Sequence, residues 1–210
     1  MMNWKVALRS RKFKIEFTVT LILLVLILTA LANFLNFAET RDGVVVNDPL
    51  LNLFEPVDLT WLTFGLIYIS LITAIIVFLK NPESLITAFQ SYIVMTVFRI
   101  IAMYLLPLNP PAKMIPLGDP FVEYFGTGQL LTKDLFFSGH TATLFLLFLL
   151  ADIRSLKIFF LFSTIIVAVA VLLQHVHYSI DVFTAPFFAY CSLILIKKLR
   201  EEYRDETRTS

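Results

Sequence analysis

Between Phe17 and Ala38 the chain runs for 22 residues without a charged side chain. A helix of that length spans about 33 Å, enough to cover a hydrocarbon core roughly 30 Å thick. Leu59–Leu79 and Ser84–Leu106 are runs of the same kind, the latter interrupted only by Arg99. Three shorter runs follow, Leu135–Ala151, Leu156–Leu173 and Val182–Ile196, each expected to borrow a turn from its flank. Their interiors lack the strict alternation of a membrane barrel. With 58% of residues hydrophobic and only 16% charged, a soluble domain is excluded, since such domains are about half apolar and about a quarter charged. The expectation is an all-α polytopic membrane protein, a bundle of six transmembrane helices.

The charges divide unevenly between the two ends of such a bundle. Both tails are basic, with Lys5, Arg9, Arg11, Lys12 and Lys14 at one and Lys197, Lys198, Arg200, Arg204 and Arg208 at the other. Lys80, Arg154 and Lys157 fall on their side, against Arg41, Lys113 and Lys133 opposite. Thirteen against three puts both termini in the cytoplasm. The expected organisation is a basic tail over 1–16, a six-span catalytic domain over 17–196 and a charged tail over 197–210. The first run is read as a span and not a cleaved signal, because it continues past Ala32 to Phe37. A net charge of +1 leaves no field for nucleic acid, and the lone Cys191 excludes an intrachain disulfide or a cysteine zinc cluster.

All three histidines fall on the face opposite the termini, the exoplasmic one. Asp134, Ser138 and His140 lie at the start of the fourth run; His175, His177 and Asp181 lie between the fifth and sixth. In a helix His177 and Asp181 are one turn apart, so the carboxylate can hold one imidazole nitrogen and leave the other for a substrate. Ser138-Gly139-His140-Thr141 sets a glycine and a second histidine at a helix start, where backbone N–H groups attract phosphate. The same residues would also serve simply as helix caps. Three histidines and two aspartates admit a metal site too, but there is no H-E-x-x-H pattern and the His177–Asp181 spacing suits orientation of a nucleophile better. Arg99, inside the third run, has to face protein, water or an anion, as a phosphate clamp or as half of a structural ion pair. Asp119 and Glu123 in the long loop are candidates by position alone.

The stretches K-D-L-F-F-S-G-H-T and H-V-H-Y-S-I-D-V, with R-I-I-A-M-Y-L-L-P-L from Arg99, resemble the sphingomyelin synthase family of the type 2 phosphatidic acid phosphatase superfamily. The resemblance covers roughly residues 60 to 196. It implies that His177 attacks a lipid phosphodiester, Asp181 orients it, and His140 protonates the departing diacylglycerol, with Asp134 orienting His140. The phosphorylated headgroup, of phosphocholine or phosphoethanolamine type, would then pass from a phosphohistidine to a ceramide-like or other lipid alcohol. Ser138, Gly139, Thr141, His175, Tyr178, Arg99 and Glu123 are the expected substrate contacts. The Arg-Pro and Ser-Arg motifs of the phosphatase branch are missing, Val171 standing at the corresponding position before His177, and this favours a phosphodiester, which carries less charge than a monoester.

Two other readings stand beside the transferase: a lipid phosphatase or phospholipase C-like hydrolase, and a non-catalytic protein that binds or transports lipid. No cofactor and no metal is called for. The expected partners are a phospholipid donor, a lipid-alcohol acceptor and the bilayer, and a homo-oligomer is allowed. The short chain favours a bacterial inner membrane.

Overall fold

The computed structural model describes residues 4–118 and 131–209, with side chains to residue 202 in the last helix. Glu123 and Asp119 lie outside the described residues. Among the described residues the regular structure is helical, apart from a single bridge between Val44 and Leu108, and the helices are joined by irregular loops. A short α1 (Trp4–Ala7) precedes α2 (Arg11–Glu39), α3 (Thr60–Phe78), α4 (Pro82–Leu105), α5 (Gly139–Leu150), α6 (Arg154–Leu173) and α7 (Ser179–Thr209). Five of these, α2, α3, α4, α6 and the Ser179–Glu202 part of α7, are long and apolar enough to cross a membrane. The chain is therefore a polytopic helical membrane protein.

The fourth expected span differs. Its helix begins only at Gly139, because the Ser138 hydroxyl accepts the Thr141 N–H and caps it there. Twelve residues reach about 18 Å, short of a bilayer core. The residues before it run as non-helical chain, with Leu135, Phe137 and Ser138 almost fully buried. Irregular backbone at membrane depth is tolerated where protein surrounds it in this way.

Helix ends follow local chemistry. Ser10 and Asn81 cap α2 and α4 through their side-chain oxygens, and Pro82 opens α4, where a missing N–H costs nothing. The last helix runs unbroken through the basic segment expected as a tail. At that end Arg200 pairs with Glu16 and donates to Gln90, which in turn donates to Glu16 and Thr20, tying α7, α2 and α4 together.

The centre of the bundle is α5, packed on α6 and α7, with α3 against α6 and α4 against α7. Small residues carry the tightest contacts. Ala142, Ala185 and Ala189 are completely buried with Met95, Leu146 and Leu193, and Phe137 stacks on Phe188 at 4.3 Å. Lipid tails are as apolar as leucine, so helices associate here by close van der Waals fit, which small side chains allow. In contrast, α2 packs mainly on α4 and is almost wholly unburied along its apolar window.

Two loops seal the end opposite the termini. Val44 N–H donates to Pro107 C=O and Asn109 N–H returns to Val44 C=O. This approach needs Gly43, whose added Cβ would lie 2.5 Å from the Leu108 carbonyl carbon.

Candidate active site

Both motifs arrive at one place because α5 and α7 start side by side. The Ser138 N–H donates to the Asp181 carbonyl at 3.1 Å, so the cap of one helix is bonded to the first turn of the other. Both N-termini thus face the same region with their positive dipole ends, which favours an anion.

Asp181 does two things at once. Its Oδ2 accepts the Tyr178 N–H at 3.0 Å, reaching back to the residue before the helix as an acidic N3 side chain does. The same oxygen lies 3.5 Å from His177 Nδ1, with both side chains completely buried. That separation is wider than a made hydrogen bond, and catalytic contacts of this kind commonly tighten when substrate binds. Facing Asp181 with Nδ1 leaves Nε2 as the ring nitrogen directed elsewhere, and it has no hydrogen-bond partner. The ring of His140 is 6.0 Å from that of His177 and packs edge-on against Phe64 at 6.2 Å.

His140 also lines a cleft of about 490 Å³ that runs between α2, α3, α4 and α5, a size suited to a small ligand. Its walls are overwhelmingly leucine, isoleucine, alanine and phenylalanine; the charged and imidazole groups, Arg99, Asp134 and His140, are at the site end with Thr132, and Thr143 and Tyr92 line it further along. His177 is completely buried and is not among the residues that line the cleft.

Arg99 forms a largely buried ion pair with Asp134, the structural partner that an arginine inside a span requires. The Asp134 carboxylate, expected to orient His140, is thus engaged by the guanidinium. Gly139 makes room for it: a Cβ there would meet Arg99 Nη1 at 1.9 Å. The glycine expected to contact substrate is the seat of the arginine.

Of the other expected substrate contacts, Ser138 and Thr141 are buried and bonded to each other, as the capping reading has it. Tyr178 points away from the cleft, its hydroxyl donating to Asn109 C=O and accepting the Val46 N–H. His175 is 3% exposed and rests edge-on against Phe54 at 5.3 Å. It occupies a left-handed backbone position, φ 57°, at the end of α6, where its N–H bonds Leu172 C=O and that of Val176 bonds Val171 C=O. Glycine is the usual residue at that position. Burial pushes the His175 imidazole below its ordinary value, with Lys113 adding to the effect and Glu55 and Asp48 opposing it.

Three residues that position the site carry no sequence signal of catalysis. Asp48 is buried and accepts the N–H of Ser179, first residue of α7, at 2.6 Å and that of Leu50 at 3.0 Å. Burial alone would raise its carboxyl, but the hydrogen bonds from Ser179, Leu50 and Leu51 together hold it below its usual value. The last residue of α2, Glu39, accepts the N–H groups of Thr132 and Lys133, both at 2.6 Å, and so fixes the segment that carries Asp134. Gln174, completely buried, joins Leu59, Thr60 and Ile115 at the end of α6. Only Asp48 had a readable cue, since Asn-Asp-Pro marks a turn in which aspartate bonds the backbone two residues on. No group of three or more potential ligand side chains that could hold a metal occurs among the described residues.

No match to a curated protein or to a solved structure was found. Residues 133–198, which contain Asp134 and both histidine motifs, match the family model for the C-terminal part of the PAP2 superfamily, and this match supports the type 2 phosphatidic acid phosphatase superfamily.

Proposed function

We propose that the protein is a membrane lipid phosphotransferase that moves a phosphorylated headgroup from a glycerophospholipid to a lipid alcohol. The observation that carries this is the pairing of His140 and His177, from motifs far apart in sequence, with rings 6.0 Å apart and His140 lining the polar end of an apolar cleft. With Nδ1 held by Asp181, His177 Nε2 attacks the phosphorus. The bond from phosphorus to the glyceride oxygen breaks, and His140 donates a proton to that oxygen as diacylglycerol leaves. In the second step His140 takes the proton of the acceptor hydroxyl, whose oxygen attacks the phosphohistidine and restores free His177. Arg99 and the two helix N-termini offset the charge on the phosphoryl oxygens. The donor enters from the face opposite the termini, which the distribution of basic residues makes the exoplasmic one.

A second reading, hydrolysis with water in place of the alcohol, is favoured by the superfamily match, because members of that superfamily are generally phosphoesterases. The two share their first step and differ in product. Purified protein is incubated with mixed phospholipids and phosphatidic acid, with and without ceramide, and the lipids are read by mass spectrometry beside His177→Ala. A ceramide phospho-headgroup species formed together with diacylglycerol, and absent in the variant, is the expected result. Diacylglycerol that forms equally without ceramide means hydrolysis. Unchanged lipids in every tube leave a binding or transport protein.

A further inference from the structure

The cleft is deeper than one leaflet. Along α4 its lining runs from Arg99 down to Leu85, and along α3 from Phe64 to Phe78. Fourteen residues of helix make about 21 Å, whereas half of a bilayer core is about 15 Å. Leu24, Leu28, Leu31 and Leu35 of α2 form the facing wall, on one side of that helix at spacings of four, three and four. At the far end the lining closes on Phe78 and Leu85, both buried. Trp4 and Phe17 pack against the same cluster from the terminal end, and Trp4 donates its indole N–H to the Leu79 carbonyl. The cleft is a slot with a polar mouth and an apolar floor.

We infer that this slot is an acyl-chain ruler: it seats one tail of a long-chain phospholipid whose phosphate lies at Arg99, and Phe78 and Leu85 set the longest chain that fits. The inference rests on the lipid reading above and deepens it, naming the donor as a phospholipid whose chain passes the bilayer midplane. The occupant is argued from complementarity, a guanidinium paired with the Asp134 carboxylate and an imidazole at the mouth, and below them hydrocarbon broken only by Tyr92 and Thr143. Short chains leave the lower slot unfilled, and its lining then loses the van der Waals contacts that a longer chain makes there.

The test is retention of lipid by the purified full chain carrying His177→Ala, so that nothing is consumed. It is offered equimolar diacyl phosphatidylethanolamines with ten-, fourteen-, eighteen- and twenty-two-carbon chains, and the bound species are read by native mass spectrometry. Eighteen-carbon lipid is expected to exceed the ten-carbon one by about tenfold or more, through the contacts that fill the lower slot. Adding Ala88→Phe near the floor shifts the preference to shorter chains, and adding Phe78→Ala shifts it to longer ones. Opposite shifts are not produced by misfolding. A flat profile in the His177→Ala protein, or the same profile in all three, overturns the ruler. Equal retention of an eighteen-carbon fatty alcohol overturns the phosphate anchor. Turnover by the wild type is measured in parallel. Chain-dependent retention without turnover keeps the ruler and sinks the transferase; turnover with a flat profile does the reverse.

Discussion

Single residues in this site combine structural duties with the chemical ones proposed above, and substitutions can separate the two. Asp181→Asn keeps an oxygen for the Tyr178 N–H, so the cap should survive with a stability change under about 1 kcal/mol. The charge that holds His177 is lost, and turnover should fall on the order of 10²- to 10⁴-fold. A melting curve beside a lipid assay checks both, and full activity in the folded variant would remove Asp181 from the mechanism. Gly139→Ala should push Arg99 from its seat, costing about 1–3 kcal/mol as overpacking does and lowering turnover, because the added methyl has no space beside the guanidinium. Unchanged melting and turnover would mean that Arg99 moves aside freely. For His175 the direction of pH dependence follows from its depressed proton affinity. The unfolded chain then binds the proton more readily, so the contribution to stability is complete above about pH 6.5 and is lost as pH falls below it. The melting temperature measured from pH 8 to pH 5 should fall less steeply in His175→Gln than in the wild type, and parallel curves would exclude this residue as the source.

At the level of helices, what the sequence made legible is what is local. The runs from Leu59, Ser84 and Leu156 became helices at nearly the expected bounds and that from Phe17 one that starts six residues earlier, since apolar length dictates a span and Ser10 and Asn81 fix starts by neighbouring bonds. The fourth run did not: Leu135 to Ser138 read as helix by hydropathy, yet they form the buried entry to α5 because the cap sits four residues in. The meeting of the two histidine motifs was legible through topology alone. Glu39 and Gln174 were not, and of Asp48 only its local turn was, because each acts on a residue more than ninety positions away or closes loops that hydropathy does not describe. The polar tie of α2 to α7 belongs to this scale. Glu16→Ala and Arg200→Ala should be non-additive by about 0.5–1 kcal/mol in a double-mutant cycle on thermal unfolding, as partly exposed pairs are. Strict additivity would reduce that pair to a surface contact.

For the whole molecule, the side of the membrane on which the site lies is the decisive property. With Cys191 replaced by serine, a single cysteine at Thr132 should react with a membrane-impermeant maleimide applied to the exoplasmic face of intact cells, while one at Glu201 should react only after the membrane is opened. The reverse pattern would turn the bundle over and place the chemistry with cytoplasmic lipids. The deeper constraint is the hydrogen bond from Ser138 to Asp181, which joins the starts of α5 and α7. In mechanical terms it is a yoke: while that bond holds, a tilt of α7 is expected to carry the two imidazoles together against the cleft and not to spread them apart. Such a tilt would therefore act on how far a lipid phosphate must travel to the pair, and leave the pair itself intact.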